Sequence, residues 1–166
     1  MQKILIAALA ASVLAAGVAD AGTATTTFAV TATVQSTCSA TAAALPFGTY
    51  TPGGGALTVN STISVKCTNG TPFTVALNAG TTTGTAFTQR LMANGTNTLQ
   101  YNLYTAAALG TVFGDGTGAT AKVAGTGVGV ATASAITVYG QLPDSATNQA
   151  AVPGNYSDTI TVTVAY

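Results

Sequence analysis

The stretch LTVNSTISVKC (Leu57–Cys67), followed by TNGT (Thr68–Thr71) and FTVAL (Phe73–Leu77), decides the fold class. In the first part Leu57, Val59, Ile63, Val65 and Cys67 share one parity and polar residues fill most of the other. That period of two belongs to a strand with one face buried. Val, Ile and Thr, which dominate the stretch, suit a pleated surface. Asn69-Gly70 tolerates the positive φ of a tight turn, so the sequence predicts a hairpin between Leu57–Cys67 and Phe73–Leu77.

Working outward, the same pattern recurs. Thr27–Gln35 alternates, with Phe28, Val30, Ala32 and Val34 on one face. A short segment runs from Cys38 to Leu45-Pro46-Phe47-Gly48, and Thr51–Gly55 reads as a loop. Gly80–Thr88 is a polar loop, and Arg90-Leu91-Met92 precedes a second turn at Asn94-Gly95. Leu99–Tyr104 alternates again. Thr105–Ala133 is Gly-rich, with one short strand expected near Lys122–Thr126. Ile136–Leu142 reads as a strand and Pro143–Pro153 as a loop. Tyr156–Tyr166 closes the chain, with Ile160, Val162, Val164 and Tyr166 on one face. Many short strands separated by turn residues, with no capped helical period, predict an all-β sandwich or barrel.

The composition excludes several classes of function. Only 5% of residues are charged, against 48% apolar, and there is no His. A general base, a zinc ligand and every Ser–His or Cys–His pair are thereby removed. No Glu is present and the Asp residues are few and far apart, so a carboxylate dyad is not expected. The reading is therefore no enzyme, no cofactor, no metal and no small-molecule substrate. No basic patch exists to hold phosphates, which argues against nucleic acid. Gly125–Gly129 resembles a phosphate loop but lacks the following helix and Lys, and Asp115–Gly118 offers too few carboxylates for calcium. Both read as turns. Asn60, Asn69, Asn94 and Asn155 begin N-x-Ser/Thr patterns, which arise by chance in so Thr-rich a chain.

Lys3, the apolar stretch Ile4–Ala19 and Ala19-Asp20-Ala21 have the form of a secretory signal, so residues 1–21 are expected to be removed. The remaining 145 residues suffice for one domain with a core. In an oxidising compartment Cys38 and Cys67 are expected to pair, the alternative being two buried thiols. The bridge would close a loop of 29 residues, worth roughly 3.6 kcal/mol in the chain-entropy model.

An ordered set of short motifs then becomes specific. Cys38 is followed by LPFGTY (Leu45–Tyr50), ISVKCTNGTPF (Ile63–Phe73), RLM (Arg90–Met92) and LQYNLY (Leu99–Tyr104). FGDGTG (Phe113–Gly118), VYGQLP (Val138–Pro143) and PGNYSDTITVTV (Pro153–Val164) complete it. Taken in order, the chain resembles the spore coat protein U domain family, which includes the Csu-type archaic chaperone–usher pilins. Phe113 departs from the family, where Trp is common, but keeps an aromatic anchor.

The resemblance implies an incomplete immunoglobulin-like β-sandwich, the pilin fold, completed by donor-strand exchange. Residues 22–36 would be an N-terminal donor-strand extension and 37–166 the pilin (spore coat U) domain. Phe28, Val30, Ala32 and Val34 would insert into the neighbouring subunit, and Ile160, Val162, Val164 and Tyr166 would border the acceptor groove. The implied partners are a periplasmic chaperone, an outer-membrane usher and other pilus subunits, on the way through the periplasm to the cell surface. Two rivals remain open: a secreted or coat-associated sandwich whose first strand folds into its own sheet, and a small glycan-binding module.

Overall fold

The computed structural model describes residues 21–166. The expected signal peptide, residues 1–21, lies outside them but for its last residue. The chain divides into two units, residues 1–33 and Val34–Tyr166. In the first, residues 21–33 form no strand, and Phe28 and Val30 are 86% and 84% exposed.

The second unit is a sandwich of two sheets. Its strands are β1 (Cys38–Ala42), β2 (Leu57–Cys67), β3 (Pro72–Leu77), β4 (Arg90–Asn94), β5 (Asn97–Tyr104), β6 (Val112–Phe113), β7 (Thr120–Ala121), β8 (Val123–Thr126), β9 (Ser134–Leu142) and β10 (Val162–Ala165). The larger sheet runs β1-β2-β9-β5-β6-β7, with β4 also on β5, and the smaller runs β10-β3-β8. All pairs are antiparallel except β6 with β7. The core lies between the layers. Ile63, Val65 and Cys67 of β2, Tyr101 and Leu103 of β5 and Val138 of β9 meet Phe73, Val75 and Leu77 of β3. Ile63, Val65 and Cys67 are on the face that the period-two reading assigns, while Leu57 and Val59 of that face are only half-buried.

One sequence expectation is corrected here. The turn at Asn69-Gly70 forms, with Thr71 N donating to Thr68 O at 3.1 Å and Gly70 at φ 78°, but it is not a hairpin. β2 and β3 enter opposite sheets. Both edges of β2 are taken, by β1 and β9. The turn is instead pinned to the end of β8, through Gly70 N to Gly127 O at 2.9 Å and Gly127 N to Thr71 O at 2.8 Å. The second Asn-Gly site does make a hairpin. Asn94 pairs with Asn97, leaving Gly95-Thr96 as the two turn residues. Gly95, at φ 60°, stands at the position where such a turn favours glycine.

The expected loop Pro143–Pro153 contains one helical turn, α1 (Ala146–Gln149), with Ser145 as its N-cap. Asn148 is fully buried. Its side chain accepts from Gln100 N at 2.8 Å and donates to Gln100 O at 2.9 Å and Pro143 O at 2.7 Å. It thus satisfies backbone groups of β5 as a neighbouring strand would.

Candidate functional site

The sandwich is open along one flank. Among the described residues, β1 ends the larger sheet and β10 ends the smaller, and each is paired on one side only. Where β1 ends, at Ala42, and β10 begins, at Val162, lies a cleft of about 910 Å³. One wall is the chain from Ala42 to Tyr50 and the other runs from Ala151 to Val162, while Ile63, Leu77, Leu99, Tyr101, Leu103, Val138 and Leu142 form the floor. That floor belongs to the core itself, so the cleft is apolar at its base.

The first wall is held by packing and by hydrogen bonds. Leu45 and Phe47 lie over Gly140 of β9, where an added Cβ would stand 2.8 Å and 3.1 Å from them. The Phe47 ring meets Tyr101 edge-on, with centroids 5.9 Å apart. Ser61 Oγ donates to Ala43 O at 2.8 Å and Ala44 O at 3.0 Å. Beyond Phe47, the Asp144 carboxylate gathers the loop, accepting from the Tyr50 hydroxyl and from Gly53 N at 3.1 Å and Gly55 N at 2.9 Å. Partial burial, and then Asp144 beside it, push the Tyr50 hydroxyl up to about 12. The Tyr50 bond, followed by the two glycine amides, holds Asp144 below the usual carboxylate range.

The second wall is held by another carboxylate. Asp158 accepts from Thr81 N at 2.9 Å, Thr82 N at 3.3 Å, both threonine hydroxyls at 3.1 Å and 3.3 Å, and Tyr101 OH at 2.7 Å. Burial acts to raise the acid, but the Tyr101 and Thr81 donors outweigh it and hold Asp158 below its ordinary value. Burial and the bond to Asp158 push Tyr101 upward. Ser157 bridges Ala93 at 2.9 Å and 3.1 Å, and Asn78 fixes Thr161 through its backbone N and side-chain oxygen at 3.1 Å and 2.9 Å. β10 then pairs with β3 from Val162↔Leu77 to Ala165↔Thr74.

At the end of the sandwich Arg90 is fully buried. It donates to Asn78 O at 2.8 Å, Phe113 O at 2.7 Å and Asn102 Oδ1 at 2.7 Å, and its guanidinium lies 5.6 Å from the Phe87 ring centroid. Burial lowers its pKa, against the opposing pull of Tyr101 and Asp158.

The residues singled out from sequence are distributed as follows. Ile160 and Val162 line the cleft, and Val164 packs against the core. Tyr166 lies past the end of β10, 61% exposed, beside Pro72 and Phe73 rather than in the cleft. Phe28, Val30, Ala32 and Val34 are all exposed. Cys38 and Cys67 are joined by a disulfide. Sequence reasoning missed the two carboxylate clasps. The signal for them was present, since Asp144 and Asp158 are two of only four acidic residues in the chain and each lies in or beside a quoted motif.

Two antiparallel-rich layers around a core that opens where two edge strands meet the cleft define an immunoglobulin-like sandwich of the pilin class. A family model for the Spore Coat Protein U domain matches residues 24–163, and the chain belongs to that family. The fold is also similar to a solved chain of the chaperone–tip adhesion subunit pre-assembly complex from the archaic chaperone–usher Csu pili of Acinetobacter baumannii. There the TM-score is 0.53 and the identity 24%, over 81% of this chain and 40% of that one. The chain thus spans less than half the length of the structure it matches. No curated protein matches it.

Proposed function

We propose that the chain is a structural subunit of a chaperone–usher surface pilus, with no enzymatic activity, supporting adhesion and biofilm formation. One observation carries this reading: a cleft floored by core side chains opens where edge strands β1 and β10 meet it, on a chain that also bears an exposed alternating segment. Residues 22–36 of one copy would enter the cleft of the next as an added strand. A sheet edge offers unpaired N–H and C=O groups to such a strand, and alternate side chains supply the contact. Burying Phe28, Val30 and Val34 contributes about 1.5–3 kcal/mol each, and each ladder hydrogen bond adds about 1 kcal/mol. Before assembly a periplasmic chaperone would fill the same cleft, and an outer-membrane usher would exchange it for the next subunit. The signal peptide expected at residues 1–21 supplies the export step.

The test is electrophoresis of surface extracts in SDS with and without boiling, for the full chain and for a chain lacking residues 22–35. The full chain should give a ladder that collapses to monomer on heating. The deletion should still be recovered with its chaperone but give no ladder. A monomeric full chain, or a deletion that still polymerises, overturns the reading.

A further inference from the structure

The donor segment leaves the sandwich at a point fastened both covalently and by hydrogen bonds. Cys38 and Cys67 are the terminal pair of the β1–β2 register, directly opposite one another and covalently joined. One residue further out, Thr68 N donates to Thr37 O at 2.9 Å and Thr37 N donates to Thr68 Oγ1 at 3.0 Å. Beyond the bridge β1 has only four more residues, Ser39–Ala42, and, among the described residues, a single partner strand. The chain that follows it, from Ala42, is a wall of the cleft. β2, in contrast, has eleven residues, nine of them in register with β9.

Tension arriving along residues 22–36 meets the Thr37–Thr68 hydrogen bonds and then Cys38, the first covalent tie to the sandwich. Without a cross-link it would load the β1–β2 hydrogen bonds from their end, and losing β1 would dismantle the subunit's own cleft wall. With the bridge, the force passes covalently into Cys67 and the long central strand.

We propose that the Cys38–Cys67 bridge, seconded by Thr68, is a mechanical clamp that isolates the acceptor cleft from tension on the subunit's own donor segment. This deepens the pilus reading and rests on it. A joint at one end of a subunit then stays intact while the other end is pulled.

The experiment stretches fibres of the full chain in an optical trap. It compares wild type with the Cys38→Ala/Cys67→Ala double variant, and reads the lifetime of unloaded fibres in parallel. Forced opening follows the unfolding rate, so the clamp predicts a loaded lifetime about tenfold shorter in the variant, with the unloaded lifetime changed less than about twofold. Thr68→Val, with the bridge intact, should shorten the loaded lifetime by a smaller factor. Where the double variant does not assemble, wild-type fibres reduced in place with a phosphine give the same two lifetimes. Equal changes with and without load, or no change, overturn the clamp and leave the pilus reading standing. Absence of wild-type fibres overturns both.

Discussion

Asp158 binds two threonines, their amides and Tyr101 with one carboxylate, and in doing so fixes the segment leading into β10. Hydrogen bonds to a charged acceptor are worth more than neutral ones, although partial exposure of this group screens them. Asp158→Ala should therefore destabilise the chain by about 1–2 kcal/mol in urea unfolding. It should also loosen the second cleft wall, read as faster hydrogen exchange at Thr81, Thr82 and Ile160. Arg90 makes the stronger case. Its planar fork serves three acceptors at once, Asn78 O, Phe113 O and Asn102 Oδ1. Arg90→Met leaves them buried without a donor and should cost about 3 kcal/mol. Arg90→Lys should recover less than half of that loss, because an ammonium lacks the fork. Scarcity marked both residues in the sequence, but their partners were not legible there. A lone Arg in RLM and a lone Asp before a terminal strand acquire their partners only through contacts 12 to 77 residues away in the chain.

Among the elements, local pattern was a good guide wherever one face is buried. β2 occupies the expected Leu57–Cys67 because its alternation meets a continuous core on one side. β10 is shorter than Tyr156–Tyr166 suggests. Residues before Val162 are held by the Asp158 and Asn78 side chains and a bridge at Ser157, where a strand ladder was expected. The Thr68–Thr71 turn shows why a turn signal does not name its sheet: both edges of β2 are taken, one by the preceding strand β1 and the other by the distant β9. Helix α1 escaped because four residues are too few to display a helical period. At this scale Gly140 gives a sharp test. A side chain there meets Leu45 and Phe47, which wall the cleft. Gly140→Val should cost about 1–3 kcal/mol by overpacking. It should also weaken binding of a synthetic peptide spanning residues 22–36 to the deletion chain. Gly110→Ala, where an added Cβ meets nothing within 4 Å and which does not line the cleft, should leave peptide binding unchanged.

For the whole molecule, acid–base behaviour follows from very few groups. There is no His, and Asp115, Asp144 and Asp158 all lie below their ordinary values. An acid with a lowered folded pKa contributes stability above its unfolded value of about 3.9 and loses it as pH falls through the folded value. Tyr50 and Tyr101 are raised, so their contribution is complete below about pH 10 and is lost as pH climbs through their folded values. Melting temperature should consequently be flat from about pH 5 to about pH 9 and fall on both sides. A step near pH 6.5 would contradict this assignment. The open flank was foreshadowed by the family resemblance. Its dimensions were not, because they depend on how far Leu45, Phe47 and Ile160 stand over a floor assembled from four other strands.

The same scarcity of charge has an environmental consequence. Each described acidic side chain is engaged by hydroxyls and amides of its own chain, and the one arginine is sealed inside. Lys66 and Lys122 are left facing the solvent. Mobile ions act on exposed charges within a Debye length, and this particle presents few of them. Raising ionic strength from low salt to the physiological range should therefore leave its folded body and its melting temperature nearly unchanged.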